Sequence, residues 1–202
     1  MSGSLKVGGS ELINDNGGSG ALQWGSGVPS GSIVQVQFNQ HADYAVMSSI
    51  NAETYYVLCN GTAGSGTEIL NVTVTPKISN SKFLIEAQWF GELDDYSQQH
   101  NHTWAFYRGS TVLKASGTSG GIQAGWNTFP SLSNNDTTPN GVFLRYFDSP
   151  SINAETATTY KLGYRQHHGN GASVHTNRVV NAGDNSGYER GISNISVTEI
   201  AP

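Results

Sequence analysis

The segment "VTVTPKISNSKFLIEAQWFGEL", from Val72 to Leu93, decides the fold class of this chain. Two runs alternate apolar and polar residues, and a polar break with Pro76, Asn80 and Ser81 separates them. Alternation with a period of two places the apolar side chains of a strand on one face. The segment predicts two neighbouring core strands with a turn at Asn80–Ser81. Their inward faces are formed by Val72, Val74, Phe83, Ile85, Ala87 and Trp89.

Strand patterns continue on both sides of this segment, from residue 32 to the end of the chain. "HTWAFYRGSTVLK" predicts a hairpin with a tight turn at Arg108–Ser110. Residues 42–54 contain the only stretch that could hold a helical turn. Many short strands separated by turn residues favour an all-β fold, and we expect an antiparallel, jelly-roll-like β-sandwich over residues 32–202.

Residues 1–31 differ from the rest, because short apolar islands lie in glycine- and serine-rich sequence. Islands of this length cannot close a core, but they can pair as edge strands with another partner. The alternative is a partly disordered segment. We therefore expect an extended N-terminal arm whose docking residues are Leu5, Val7, Leu12, Ile13, Leu22 and Trp24.

Composition narrows the function classes. The chain has 202 residues, 12% of them charged, and a net charge of -5, whereas soluble domains average about 25% charged residues. Nucleic-acid binding depends on a clustered basic face, and the sequence has no strong cluster of basic residues, which argues against that function. Cys59 is the only cysteine, which excludes an internal disulfide and predicts a small buried hydrophobe. We find no signal-peptide pattern and no run long enough for a membrane helix, and expect synthesis in a cytoplasm without membrane insertion.

No residue pattern predicts catalysis or a cofactor. Asp94 and Asp95 are adjacent, so they do not aim at one substrate bond from two sides. The six histidines, among them His100 and His102, lack a recognised metal-ligand spacing and are expected to be solvated loop residues. The alternative is a histidine from each chain holding a metal on a trimer axis. We expect a non-enzymatic protein with no metal or cofactor.

Glu199 continues the alternation of Ile195 and Val197 and therefore occupies an inward position. A buried carboxylate needs a partner. Arg108 or Arg145, each on a predicted strand, could supply an ion pair, within the chain or across a subunit interface. The alternative is a frayed last strand that leaves Glu199 in solvent.

Three long loops, residues 94–102, 115–141 and 166–190, are candidates for recognition. Long loops in a compact sandwich commonly carry function. The aromatic, acidic and histidine side chains that we expect to face a partner or a glycan are Asp94, Asp95, Tyr96, His100, Trp126, Phe129, His167, His168 and Tyr188.

Several segments together resemble the C-terminal jelly-roll region of phage tail-fibre-like and virion structural proteins of marine phages and cyanophages. The resemblance covers roughly residues 69–202. The start, "SLKVGGSELIN" with "GALQWGSGVPSG", also resembles the N-terminal part of such proteins. The segments within 69–202 are "LNVTVTPKISNSKFLIEAQWFGEL", "WAFYRGSTVL", "VFLRYFDSP", "TATTYKLGYR" and "RGISNISVTEIA".

The resemblance implies a bacteriophage virion component, assembled in the host cytoplasm. Similar proteins are homotrimers whose sandwich forms a knob and whose arm, here residues 1–31, attaches to other virion proteins of the capsid or tail. The chain lacks the heptads or repeats of a fibre shaft, which fits capsid decoration or a short tail knob. The alternative function is a receptor- or carbohydrate-binding module that contacts a host-surface glycan through the three loops.

Overall fold

The computed structural model describes residues 4–14, 23–25, 27–94, 102–113, 126–128, 139–166, 171–181 and 187–202. Within these ranges the regular structure consists of strands, and none of these residues lies in a helix. In chain order the strands are β1 (Ser4–Val7), β2 (Ser10–Asn14), β3 (Gln23–Trp24), β4 (Ile33–His41), β5 (Ala45–Ile50), β6 (Tyr56–Val57), β7 (Cys59–Thr62), β8 (Thr67–Glu68), β9 (Asn71–Val74), β10 (Lys82–Asp94), β11 (His102–Arg108), β12 (Thr111–Leu113), β13 (Trp126–Thr128), β14 (Asn140–Asp148), β15 (Thr158–Gln166), β16 (Ala172–Thr176) and β17 (Ser193–Ile200).

Two sheets pack face to face and form a jelly-roll-like β-sandwich, as the alternating sequence predicts. The large sheet has the order β4-β17-β10-β16-β5-β7-β8, and β14 pairs with the other edge of β10. The small sheet has the order β12-β11-β15-β6, with β13 beside β11 and β9 beside β15. Pairing is antiparallel except between β5 and β7.

Aromatic side chains fill the space between the sheets. The rings of Trp89 and Trp104 lie 4.7 Å apart, and those of Trp104 and Tyr164 lie 5.1 Å apart. All three side chains are buried, together with Phe83 and Phe106. Each buried aromatic of this size contributes on the order of 2–3 kcal/mol of apolar transfer free energy. This core holds the two sheets together without a disulfide.

The opening segment spans both sheets, which corrects one expectation. Val72 and Val74 on β9 are buried, as predicted, and so are the predicted inward residues of β10, which are Phe83, Ile85, Ala87 and Trp89. However, β9 pairs with β15 in the small sheet, whereas β10 lies in the large sheet. The two strands therefore lie in opposite sheets. The seven residues between them are long enough to cross the roughly 10 Å between packed sheets, and Asn80 turns the chain with φ 63°.

Side-chain amides close one open side of the sandwich. Strand β4 turns Gln35, Gln37 and Asn39 toward the small sheet. Gln35 Nε2 donates to the carbonyl oxygen of Thr75 at 2.7 Å, and Asn39 Nδ2 donates to that of Asn71 at 2.8 Å. These bonds satisfy carbonyls beside β9 where no strand pairs with it.

The apolar islands of the arm pair with each other, whereas the sequence suggested pairing with another partner. Strands β1, β2 and β3 form a separate antiparallel sheet in which Leu5 is opposite Ile13 and Ile13 is opposite Trp24. Leu5 and Val7 remain exposed, and Leu12 is half-buried. Leu22 lies outside the described residues.

Three local predictions have clear outcomes. The hairpin at Arg108–Ser110 is confirmed, with Gly109 at φ 58° between β11 and β12. Cys59 is buried, as expected. Residues 42–54 contain strand β5, with Met47 and Ile50 in the core, so the stretch that could have held a helical turn does not form one.

Candidate functional site

The outer face of the large sheet carries an exposed apolar surface. It extends over four adjacent strands, β4, β17, β10 and β14, and is about 14 Å wide between the outer strands. Backbone register aligns Val36, Thr198, Leu84 and Phe147 in one row across the sheet. We call this surface the apolar face, and its members are Val36, Phe38, Leu84, Phe143 and Phe147.

The apolar face is much more exposed than a core surface. Phe38 is 59% exposed and Phe143 is 64% exposed, although both lie in regular strands with well-packed neighbours. Scattered exposed apolar residues are normal on a protein surface, but several of them grouped on one face of a sheet mark a candidate interaction surface.

The outer face of β10 and β14 carries three charged side chains, and two of them form an ion pair. Arg145 Nε donates to Glu86 Oε1 at 2.9 Å, and Arg145 Nη2 lies 2.7 Å from the same oxygen. The guanidinium also lies 5.8 Å from the centre of the Phe143 ring. Arg145 is 62% exposed, so this ion pair contributes little stability. It neutralises two of these three charges, and Lys82 at the start of β10 is the third.

The sequence analysis did not predict the apolar face, because β4 turns polar side chains inward and apolar side chains outward, the reverse of a usual surface strand. Its polar residues, Gln35 and Gln37, point inward, and Val36 and Phe38 point to solvent. In β14, Phe143 and Phe147 alternate with the buried Val142 and Leu144, so apolar residues occur on both faces. Continuous apolar sequence in an edge strand is the signal that could have identified this surface.

Glu199 points inward, as the alternation predicts. The prediction that Arg108 or Arg145 pairs with it inside the chain is wrong. Glu199 is fully buried, and its carboxylate accepts hydrogen bonds from four neutral donors at 2.6–3.1 Å. Those donors are Gln35 Nε2, the backbone N–H groups of Lys77 and Ile78, and Ser81 Oγ. Burial also prevents Glu199 from reaching across an interface.

The two arginines pair with other carboxylates. Arg108 NH1 donates to both oxygens of Asp148 at 2.7–2.8 Å, and Tyr160 donates to the same carboxylate at 2.8 Å. Arg145 pairs with Glu86 on the apolar face. Strand register decides these partners: Arg145 is directly opposite Glu86, for example. The register between distant strands cannot be read from the sequence pattern.

Two of the three predicted recognition loops contain strands, since β13 lies within residues 115–141 and β16 within residues 166–190. His102, at the start of β11, is opposite Gln166 on β15 and Thr128 on β13. At the end of β10, Asp94 is opposite Ser173 on β16.

The individual recognition residues are only partly covered by the described chain. Tyr188 is half-buried, and Trp126 lies on β13. Six predicted recognition residues lie outside the described residues: Asp95, Tyr96, His100, Phe129, His167 and His168.

His102 is not the solvated loop residue that the sequence suggested. It is buried and hydrogen-bonded to the Tyr164 hydroxyl group, with the two rings stacked. His175 Nδ1 lies 3.1 Å from the Tyr44 hydroxyl group. Across the described ranges, no three histidine, cysteine or acidic side chains come together as metal ligands.

Comparisons with known proteins give little further information. No protein-family model and no curated protein matches this chain. One solved structure with a similar arrangement is titled "Structure of infectious bursal disease virus Gx strain". It is 10% identical, with a TM-score of 0.38, and the similarity covers 100% of this chain and 42% of the other. In the described part of the chain, no helix is long and apolar enough to cross a membrane.

Proposed function

We propose that this chain is a non-enzymatic virion structural protein that assembles as a homotrimer. The single observation that carries the proposal is the apolar face, on which Phe38, Phe143 and Phe147 are exposed. The resemblance of residues 69–202 to phage tail-fibre-like proteins supports the virion role. The trimer forms a knob on the capsid, as decoration, or on the tail, as a short fibre.

Threefold symmetry places constraints on how the apolar face is used. In a cyclic trimer each interface is heterologous, so the face of one copy packs on a different surface of the next copy. Stable interfaces bury about 800 Å² per partner with an apolar centre. Phe38 and Phe143 are on opposite sides of the Glu86–Arg145 pair and are therefore the expected anchors of this interface.

The arm is the proposed attachment to the particle. Strand β1 is an edge strand of the arm sheet, and its Leu5 and Val7 side chains are exposed. An exposed edge strand can bind another protein by adding a strand to its sheet. Replacing Leu5 and Val7 with serine is expected to reduce attachment to particles without changing the trimer mass.

Light scattering coupled to size-exclusion chromatography tests the assembly. We expect a mass three times the 21.5 kDa of one chain. Phe38→Asp with Phe143→Asp should give monomers, because two desolvated carboxylates oppose the contact. Thr111→Asp, an exposed change on β12 of the small sheet, is the matched control. A monomeric wild-type protein would contradict the proposal, and a dimer would contradict the threefold arrangement.

Location on the particle separates the two virion roles. Immunogold electron microscopy of particles is expected to label the capsid surface evenly or the tail alone. Labelling of neither would exclude a virion component.

A second candidate function is host-receptor binding through residues 94–102, 115–141 and 166–190. It is supported by the strand register, in which His102 is opposite both Gln166 and Thr128, one residue from each of the three segments. Adsorption of the purified protein to host cells tests it. Adsorption that survives shortening of all three loops would contradict it.

A further inference from the structure

The outer face of the small sheet contains a groove that lies on the opposite layer from the apolar face. Its larger part has a volume of about 590 Å³ and includes Thr73 on β9 with Thr159 and Lys161 on β15. Its smaller part has a volume of about 210 Å³ and includes Tyr55 and Tyr107. Glu68 lines both parts, so they are adjacent. Small-ligand sites commonly have volumes of about 300–1,000 Å³.

The strand register places the polar groups of the groove side by side. Thr73 is opposite Thr159, and their Oγ1 atoms lie 2.8 Å apart. Lys161 is opposite Asn71 on one side and Tyr107 on the other. Hydroxyl, amide and phenol groups therefore lie next to each other along the floor of the groove.

Glycine makes the aromatic part of the groove possible. The Tyr107 ring leans over Gly163 of the neighbouring strand, and a Cβ atom at Gly163 would overlap the ring. The ring therefore lies along the sheet, 7% exposed, as part of the floor. Tyr55 is half-buried beside it, and the Arg165 guanidinium lies 5.7 Å from the centre of the Tyr55 ring. Tyrosines of this kind offer a flat, apolar contact surface with a hydroxyl at its edge.

The charged groups of the groove neutralise each other. Lys161 Nζ lies 2.6 Å from Glu68 Oε1, and Arg108 pairs with Asp148. Burial raises the pKa of Tyr107 to about 12 and also raises the pKa of Tyr55, so both phenols stay uncharged donors at neutral pH. An anionic ligand would have to displace an existing partner of Lys161 or Arg108. The groove therefore favours a ligand that is neutral.

We propose that this groove binds a neutral oligosaccharide. Thr73, Thr159 and the Lys161–Glu68 pair hydrogen-bond its hydroxyl groups, and the half-buried Tyr55, beside the buried Tyr107, packs against an apolar face of a sugar ring. From Thr159 to Gly163 the floor extends about 13 Å along β15, which is long enough for more than one sugar unit. None of the described residues that line the groove belongs to the apolar face or to the three loops.

A printed array of neutral and acidic oligosaccharides, probed with the full-length protein, tests the proposal first. We expect binding to neutral oligosaccharides that persists at high salt. Isothermal titration with the strongest neutral binder then gives the affinity. Backbone amide resonances should shift at Thr73, Thr159 and Lys161 when this oligosaccharide is added.

Removal of two hydroxyl groups tests the site itself. Thr73→Val with Thr159→Val is expected to weaken binding at least tenfold, while Thr111→Val, a strand threonine that lines neither part of the groove, stays within twofold of wild type. Light scattering shows whether the double variant keeps the wild-type mass, which separates this proposal from the assembly proposal. Binding only to acidic oligosaccharides, no neutral binder on the array, or an unchanged affinity in the double variant would overturn it.

Discussion

Neutral donors of the protein hydrogen-bond the buried carboxylate of Glu199. Two backbone N–H groups of the connection between β9 and β10, at Lys77 and Ile78, donate to it. Hydrogen bonds to a charged acceptor are stronger than neutral ones, about 1.5–3 kcal/mol each. Glu199 thus fixes the segment that carries the chain from one sheet to the other.

Replacing Glu199 with glutamine should therefore destabilise the sandwich. The glutamine NH2 group would face N–H donors that then lack an acceptor, and we expect a loss of about 2–3 kcal/mol in the free energy of unfolding. Urea unfolding at a fixed protein concentration measures it. Glu86→Gln breaks an exposed ion pair and is the control, with an expected loss below about 1 kcal/mol. Equal losses in both variants would show that the buried hydrogen bonds are not stabilising.

Stability should fall at alkaline pH because of buried tyrosines. Burial raises the pKa of Tyr107 to about 12, whereas an unfolded tyrosine titrates near pH 10. Between these values the unfolded chain has released a proton that the native chain keeps, so stability declines as pH rises from about 10 to about 12. Tyr107→Phe should make this decline shallower by up to about 1.4 kcal/mol per pH unit.

Urea unfolding at several pH values between 9 and 12 measures this slope. Tyr188→Phe, a change outside the sandwich strands, provides the comparison. An identical slope in wild type and Tyr107→Phe would contradict the assignment of the effect to this phenol.

Strand β10 pairs with different neighbours along its length, and Gly91 lies where they change. Residues 82–88 pair with β17 and residues 91–94 with β16. A Cβ atom at Gly91 would overlap the carbonyl oxygen of His175 on β16. The close approach also positions Trp89, whose Nε1 donates to Thr176 Oγ1 at 2.9 Å.

Gly91→Ala is therefore expected to lower the free energy of unfolding by more than about 2 kcal/mol, because backbone atoms must move. Gly141 on β14 is the matched control, since a Cβ atom there would meet nothing within 4 Å. Gly141→Ala should be neutral or stabilising by up to about 1 kcal/mol. Thermal unfolding of both variants gives the comparison, and equal melting temperatures would contradict the steric argument.

Strands could be predicted well from the sequence, but their partners could not. The period-two alternation of Val72 and Val74, and of Phe83 to Trp89, located β9 and β10 because alternation is a local property. Their assignment to opposite sheets depends on pairing with distant strands. Thr73 on β9 is opposite Thr159 on β15, 86 residues later, and Phe83 on β10 is opposite Glu199 on β17. Such long-range pairing leaves no mark in a local pattern.

At the scale of the whole molecule, the candidate surfaces were the least predictable part. The sequence directed attention to loop aromatics and histidines, yet the groove lies on flat strands with Thr73, Thr159 and Tyr107. The apolar face exists because β4 turns its apolar side chains outward. Its inward side chains are amides, and those of Gln35 and Asn39 hydrogen-bond backbone carbonyls of the facing segment. Both surfaces arise from the relation between distant strands.

The apolar face makes a specific prediction about the forces that hold the trimer. Its five apolar members outnumber the charged side chains beside them, which are the Glu86–Arg145 pair and Lys82, so we expect burial of apolar surface to be the main source of association free energy. Raising NaCl from about 0.05 M to 1 M screens charges over distances beyond about 3 Å and should leave the trimer mass unchanged. Glu86→Gln with Arg145→Gln should also stay trimeric, whereas Phe38→Asp should dissociate. Sedimentation velocity at both salt concentrations measures these outcomes, and a trimer lost at high salt would show that charged surfaces elsewhere in the molecule drive assembly.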